Sequence, residues 1–280
     1  MREVAIVGAG ELGGLTAHTL ARRNAAGVVR LIDDRGRLAA GKALDISQAA
    51  PVEGFATTVI GSTDLSTAAG ASVIVIADGV DELSSEGDNS LLLVRRLNAI
   101  APRARFVCAD APHRELVDRT VRELRLPRSK ILGSASEAFV AAATAVVALE
   151  LDVSPRDVAL SILGIPPDRI VIAWENAAVS GFAVGGTMTE PVRRRMTQRI
   201  AALWPAGPCA LAAAAGKVVD ALLGNSRRPV TCFVAPDDGG GVRARTAALP
   251  VRVGAAGVVE VVMPALSVAE RVALDNAIML

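Results

Sequence analysis

The sequence predicts an α/β fold, a doubly wound parallel sheet joined to a second α/β unit with antiparallel strands. Three observations carry this. Short, continuously apolar runs alternate with helical patterns up to Gly133, as in strands of a parallel sheet covered on both faces. A glycine cluster follows the first of these runs directly. Beyond Gly133 the alternation gives way to a long Ala-rich helix and then to paired strands.

Val4–Val7 is the first strand, and Glu11–Arg23 is a helix with Leu12, Leu15, Thr16, Thr19 and Leu20 on one face. Val28–Ile32 is the second strand and Gly41–Ala50 the next helix. Thr57–Ile60 and Ser72–Ala77 are strands, Ser90–Ile100 a helix, Phe106–Ala109 a strand, Arg114–Leu124 a helix and Ile131–Leu132 a short strand. The apolar run Ala138–Leu149, bounded by Glu137 and Glu150, is too short to span a bilayer and predicts a buried helix, with Glu137 either capping its N-terminus, the leading reading, or facing the cleft. In SILGIPPDRIV (161–171), two apolar strands flank a stiff corner, because proline fixes φ and donates no N–H. Helices follow near Thr189–Leu203 and Ala212–Leu223, with antiparallel strands at Val230–Val234 and Val242–Thr246. Val258–Met263 is a further strand, and Ser267–Ala277 a terminal helix with Ser267 as N-cap and Glu270 three residues on. The change of pattern at 133–137 predicts two domains, 1–135 and 136–280.

With 51% hydrophobic and 21% charged residues, the chain is globular. A net charge of +1 supplies no field for nucleic acid or anionic membranes. Aromatic residues make up 2%, with no tyrosine, so the stacking platform of a single-strand binder is missing. Cys108, Cys209 and Cys232 form no CxxC and read as buried thiols of a reducing compartment, with no disulfide frame and no metal site. The first residues enter a strand with no signal segment, so a cytoplasmic location is expected.

VAIVGAGELGG carries the strongest local signal. Gly8, Gly10 and Gly13 form GxGxxG between the first strand and the first helix, with Glu11 and Leu12 inside the motif. The spacing serves a tight turn, close backbone approach to a pyrophosphate, and packing of helix on strand. The phosphates would meet the unpaired N–H groups of the helix. The second strand ends in Asp33, placed to bind ribose hydroxyls and to repel a 2′-phosphate. A Rossmann-type domain that binds NAD(H) is therefore expected, with Gly8, Gly10, Glu11, Leu12, Gly13 and Asp33 at the cofactor.

These motifs, with GKALDI (41–46), APVEGF (50–55), VIVIADG (73–79), ELDVSPRDV (150–158), LPVRVGAAGVVEVV (249–262) and LSVAERVAL (266–274), resemble the lactate/malate dehydrogenase family over nearly the whole chain. The resemblance adds Ala77 and Gly79 to the cofactor set and implies a homodimer or homotetramer. It also implies NAD-dependent oxidation of a 2-hydroxy acid, in which a His accepts the hydroxyl proton, an Asp orients that His, one Arg polarises the carbonyl and another grips the substrate carboxylate.

The family's Gly-Gly-His-Gly-Asp corner falls on Gly164-Ile165-Pro166-Pro167-Asp168, so Pro166 takes the His position. The family's Asp-x-x-Arg falls near Phe139 and Ala142, its mobile-loop Arg near Ser90, and its Asn-Pro around Ala111-Pro112. The loop before Ser90 carries Asp81, Glu82, Glu86 and Asp88 and would repel a carboxylate. The resemblance thus points to an NAD(H)-binding relative without the family's acid–base and arginine groups. Two other readings stay open: an active oxidoreductase in which His113, beside Asp110, serves as acid–base group, and a scaffold that binds no nucleotide. His18 reads as surface on the first helix, and Arg193-Arg194-Arg195 as a solvated helix face.

Overall fold

The structure is a computed structural model that describes residues 2–78, 88–184, 188–236 and 245–279. Its first half runs β1 (Glu3–Val7), α1 (Glu11–Arg22), β2 (Val28–Ile32), α2 (Gly36–Glu53), β3 (Thr58–Ser62), β4 (Val73–Ile76), α3 (Asp88–Ile100), β5 (Arg105–Cys108), α4 (His113–Glu123) and β6 (Ile131–Gly133). The strands are parallel in the order β3-β2-β1-β4-β5-β6, so the chain reverses direction across the sheet between β1 and β4. Alternate strand residues face opposite layers. Val4, Ile6, Val73 and Val75 pack under α1 and α2, while Ala5, Ile74, Ile76 and Phe106 pack under α3 and α4. Burial on both faces explains why these strands read as unbroken apolar runs.

The second half runs α5 (Ala135–Leu151), β7 (Val158–Ala159), β8 (Ile162–Ile165), β9 (Arg169–Ile172), β10 (Ala178–Val179), β11 (Phe182–Ala183), α6 (Glu190–Ala201), α7 (Pro208–Leu222), β12 (Val230–Val234), β13 (Ala247–Gly254), β14 (Gly257–Val261) and α8 (Val268–Ile278). The antiparallel strands continue the parallel sheet. β6 meets β12 through Gly133 and Phe233, and the order continues β12-β13-β8-β9, with β14 against β13. Hydrogen bonding therefore crosses the pattern change at residues 133–137. A small separate sheet of β11, β10 and β7 completes the strands of the described residues.

The mixed α/β architecture is as expected, and most elements fall within two residues of their predicted bounds. α2 begins earlier, at Gly36, because Ala39 already packs on the sheet, and it runs to a left-handed Gly54 that closes its last turn. Of the strand expected at Val242–Thr246, only Arg245 and Thr246 are described, and neither is in a strand. β13 starts at Ala247, and Thr246 is held off the ladder by Asp118, which accepts from its N–H and hydroxyl. Residues 242–244 lie outside the described residues. β7, β10 and β11 have two residues each, too few for a period-2 signal. The capping box of α8 forms as predicted between Ser267 and Glu270.

α5 is a packing helix. Phe139 meets Trp204 edge to face at 5.4 Å, and Trp204 meets Phe233 at 5.9 Å. This aromatic file ties α5 to β12 across the segment joining α6 and α7. Trp174, just after β9, and Met196 and Ile200 of α6 pack in the same cluster as Phe139.

Candidate functional site: the glycine turn at the sheet's switch point

The site forms where β1 ends. The Gly8 N–H donates to the carbonyl of Ile32 at 2.8 Å, which locks the turn to the end of β2. Gly8 adopts a φ of +95°, which a side chain would strain. The turn delivers the chain into α1, whose N-cap, Gly10, supplies no side-chain cap. The N–H groups of the first turn of a helix have no partner within it.

Asp33, at the end of β2, lies against this turn. Its Oδ2 accepts from the Ala9 N–H at 2.6 Å, and its Oδ1 accepts from the backbone and Nε of Arg35 at 2.9 and 3.1 Å. Burial alone would raise this carboxyl. The Arg35 guanidinium and the N–H groups of Ala9 and Arg35 outweigh it and hold Asp33 below the ordinary carboxylate range.

Leu12 and Gly13 turn their N–H groups toward the mouth of the sheet, and both are taken by Asp78. Leu12 donates to Oδ1 at 3.0 Å and Gly13 to Oδ2 at 2.5 Å. The Leu12 side chain itself is buried in the core, so only its backbone faces the site. A Cβ added to Gly10 would lie 2.5 Å from the Asp78 Cγ. Lys42, from α2, donates to the Gly10 carbonyl from the other side.

Of the residues predicted at the cofactor, the structure brings Gly8, Gly10, Glu11, Leu12, Gly13, Asp33 and Ala77 to one edge. Ala77 is buried and extends β4 by donating its N–H to Val7. Gly79 lies outside the described residues, as do Asp81, Glu82 and Glu86 of the acidic loop. Asp78 has no role in the sequence reading. The available signal was a carboxylate between Ala77 and Gly79, at the end of the strand beside the glycine turn.

His113 opens α4 at the same edge of the sheet and is 3% exposed. Its Nδ1 accepts from the backbone N–H of Asp110 at 3.2 Å, while the Asp110 carboxylate accepts from the Ala111 N–H at 2.7 Å. Asp110 thus braces the turn before α4, and its bond to His113 comes from the main chain. In the neutral ring this contact places the proton on Nε2.

Further placements differ from expectation or refine it. Glu137 does not cap α5. Its carboxylate crosses to accept from the Thr231 N–H of β12 at 2.6 Å and from the ammonium of Lys217 on α7. Cys108 and Cys232 are buried, and burial pushes both thiols up, but Cys209 is exposed at the start of α7, where that helix leaves the core. Cys209 joins Gly10, Leu15, Lys42 and Asp45 in lining a cavity of about 670 Å³ between α1 and α2. His18, expected on the surface, is half-buried: it lines the same cavity on the α2-facing side of α1, with Nε2 3.1 Å from both oxygens of Glu53 on α2. The arginines of α6 diverge: Arg194 pairs with Glu190 and Arg195 with Glu150 on a solvated face, whereas Arg193 is partly buried, donating to the Met188 carbonyl and pairing with Glu175.

The hairpin of β8 and β9 presents Pro166, Pro167 and Asp168 at its tip, with Gly164 at φ +93° in the strand leading to it. Among the described residues, no cluster of His, Cys, Asp and Glu could hold a metal ion, and no helix is long and apolar enough to cross a membrane.

A parallel sheet with a glycine turn and a buried carboxylate at its switch point defines an α/β protein of the dinucleotide-binding class. Residues 2–102 match the NAD binding domain of lactate/malate dehydrogenases. The malate dehydrogenase of Thermomicrobium roseum is 30% identical over 99% of this chain and 94% of its own length. The chain belongs to the lactate/malate dehydrogenase family, an oxidoreductase family that uses NAD. Solved structures agree in fold. The malate dehydrogenase of Salinibacter ruber superposes with a TM-score of 0.85 at 24% identity, covering 98% of this chain and 93% of that one. A lactate dehydrogenase of Cryptosporidium parvum, complexed with lactic acid and NAD, superposes at 0.88 with 23% identity, covering 99% and 94%.

Proposed function

We propose that this chain is an NAD(H)-binding member of its family in which hydride transfer between a 2-hydroxy acid and NAD is lost or greatly altered. Gly8, Gly10 and Gly13 with the N–H groups of α1 would hold the pyrophosphate, Asp33 would face the ribose, and Ala77 and Gly79 would allow close approach. The bound cofactor would supply a hydride acceptor or donor. The remaining requirement is a group that takes the hydroxyl proton.

The observation that carries this reading is the β8–β9 tip. By the resemblance, the proton acceptor belongs at Pro166, and proline has no titratable atom. The positions for its orienting carboxylate and for the carboxylate-binding Arg fall on Phe139, whose ring is buried against Trp204, and on Ala142. A 2-hydroxy acid would find neither a base nor a cation there. The test is reduction of NAD with malate, lactate and other 2-hydroxy acids by the purified chain. No turnover above a protein-free control is expected; sustained turnover of any of them would sink the reading.

A second reading rests on His113, a buried imidazole at the sheet edge where ligands bind in such folds. It makes the chain an oxidoreductase for an uncharged alcohol or aldehyde. Turnover of such a substrate that disappears in His113→Ala, with NADH affinity kept, would establish it. The assembly belonging to either reading is a homodimer or homotetramer of the cytoplasm, and sedimentation velocity measures its subunit number directly. If the folded chain fails to bind NADH at all, the scaffold reading replaces both.

A further inference from the structure

We propose that Asp78 is a built-in competitor of the dinucleotide's pyrophosphate, so that NAD(H) binds only after displacing this carboxylate from the N-terminus of α1. The inference rests on the NAD-binding reading and deepens it.

Three observations converge. The first concerns donors. The N–H groups of Leu12 and Gly13 are those that a helix N-terminus offers an anion, and each is bonded to a different oxygen of Asp78. A two-oxygen carboxylate on two adjacent backbone donors reproduces the way a phosphate is held there. The second concerns space. The missing side chain of Gly10 is what lets a pyrophosphate approach the turn. Here that space is filled, since a Cβ on Gly10 would lie 2.5 Å from the Asp78 Cγ and 2.7 Å from its Cβ. The third concerns charge. A pyrophosphate beside this carboxylate would put like charges in contact at a partly buried site. Of the described cations beside the turn, Arg35 is paired with Asp33, and Lys42 holds the Gly10 carbonyl on the side away from Asp78.

The cradle is therefore a two-state site. With Asp78 seated, α1 is capped and closed to phosphate; with Asp78 swung out, the N–H groups are free for the dinucleotide. The apparent affinity for NAD(H) is then the intrinsic affinity scaled by the fraction of molecules with the cradle open. Asp78 does not touch the reacting atoms. It sets how readily the cofactor enters.

The experiment is calorimetric titration of the full chain with NADH, ADP-ribose and adenosine, comparing wild type with Asp78→Ala and Asp78→Asn. Asp78→Ala is expected to bind NADH and ADP-ribose about tenfold tighter or more, because the closed state is removed. Adenosine, which has no phosphate, should bind both proteins equally. The melting temperature without ligand should fall in Asp78→Ala, as a helix cap is lost, while the rise produced by NADH should grow. Asp78→Asn keeps an acceptor oxygen and loses the charge, so it should also tighten NADH binding and serves if the alanine variant is unfolded. Equal NADH affinity in wild type and the folded variants would overturn the proposal and leave NAD binding intact. Equal tightening of adenosine would overturn it as well, since the effect would then not act through the phosphates. If folded wild type and folded variants all fail to bind NADH, the NAD-binding reading itself falls and takes the proposal with it.

Discussion

Phe139→Ala tests whether α5 has exchanged chemistry for packing. The Phe139 ring is 1% exposed and lies edge to face with Trp204 at 5.4 Å. Truncating a fully buried Phe costs about 3–5 kcal/mol, from lost transfer energy and from the cavity left behind. The aromatic pair adds about 0.5–1.5 kcal/mol beyond area. Trp204 also packs on Phe233, so the cavity cannot close without disturbing β12, and the upper half of this range is expected. For a chain of this size each kcal/mol lowers the melting temperature by roughly 2–4 °C. Thermal and urea unfolding followed by circular dichroism measure both quantities. Phe139→Leu, which keeps most of the volume, should lose much less. Phe139→Asp, which restores the residue type that the resemblance places here, should be the worst of the three, because it buries a charge in the aromatic file. A loss below about 1 kcal/mol for Phe139→Ala, or an aspartate variant as stable as the alanine one, would refute a packing role.

Asp33→Asn should weaken NADH binding and flatten the acid limb of the stability profile. A carboxyl held below its ordinary range in the folded state stabilises the fold fully above the unfolded value of about 4, and loses that contribution as pH falls through the folded value. Urea midpoints from neutral pH down into this acid range measure it. In the native protein a chromogenic disulfide reagent should titrate Cys209 alone, with Cys108 and Cys232 reacting only after unfolding; prompt modification of a second thiol would contradict their burial. Lys217→Met should destabilise by more than an exposed ion pair, above about 1 kcal/mol, because the Glu137 carboxylate stays buried without its cation, and Glu137→Gln in the same background should recover part of the loss. Ser267→Ala should cost about 0.5–2 kcal/mol by opening the capping box of α8.

What could be read from the sequence follows from where the signal is local. Continuous apolar runs locate β1, β4 and β5 because both faces of those strands are buried, while β2 is legible although Arg30 interrupts it. GxGxxG and Asp33 are legible because turn geometry and strand position fix them within a short span. Thr246 reads as strand residue by composition, but Asp118, remote in sequence, captures its N–H and hydroxyl. Glu137 reads as a helix cap by position, yet Lys217 and Thr231, also remote, take its oxygens. Cys209 reads as buried by residue type, although its place at the start of α7 exposes it. Asp78 is the plainest case. Its position at the end of β4 was visible, but its partners lie more than sixty residues earlier in the chain, and only the β1–β4 pairing brings them together.

These polar groups share a physical logic. At the carboxyl edge of the sheet, Asp33 is bonded to Ala9 and Arg35, Asp78 to the first turn of α1, Asp110 to Ala111, and His113 to the Asp110 N–H. In an open binding site such groups wait for a ligand, and leaving them unsatisfied costs stability. Here each has found a partner within the protein. On the proposed reading, the proline at the hairpin tip and the phenylalanine in α5 extend this trend, because the resemblance places the family's titratable groups there. Self-satisfaction of the edge stabilises the unliganded fold and lowers its readiness for ligand. The resulting order of events is specific: the cradle must open at Asp78 before a dinucleotide can reach the N–H groups of Leu12 and Gly13. On the proposed reading the glycine turn and Asp33 set what kind of ligand the edge admits, and the self-bonded carboxylate of Asp78 sets how much free energy that ligand must bring.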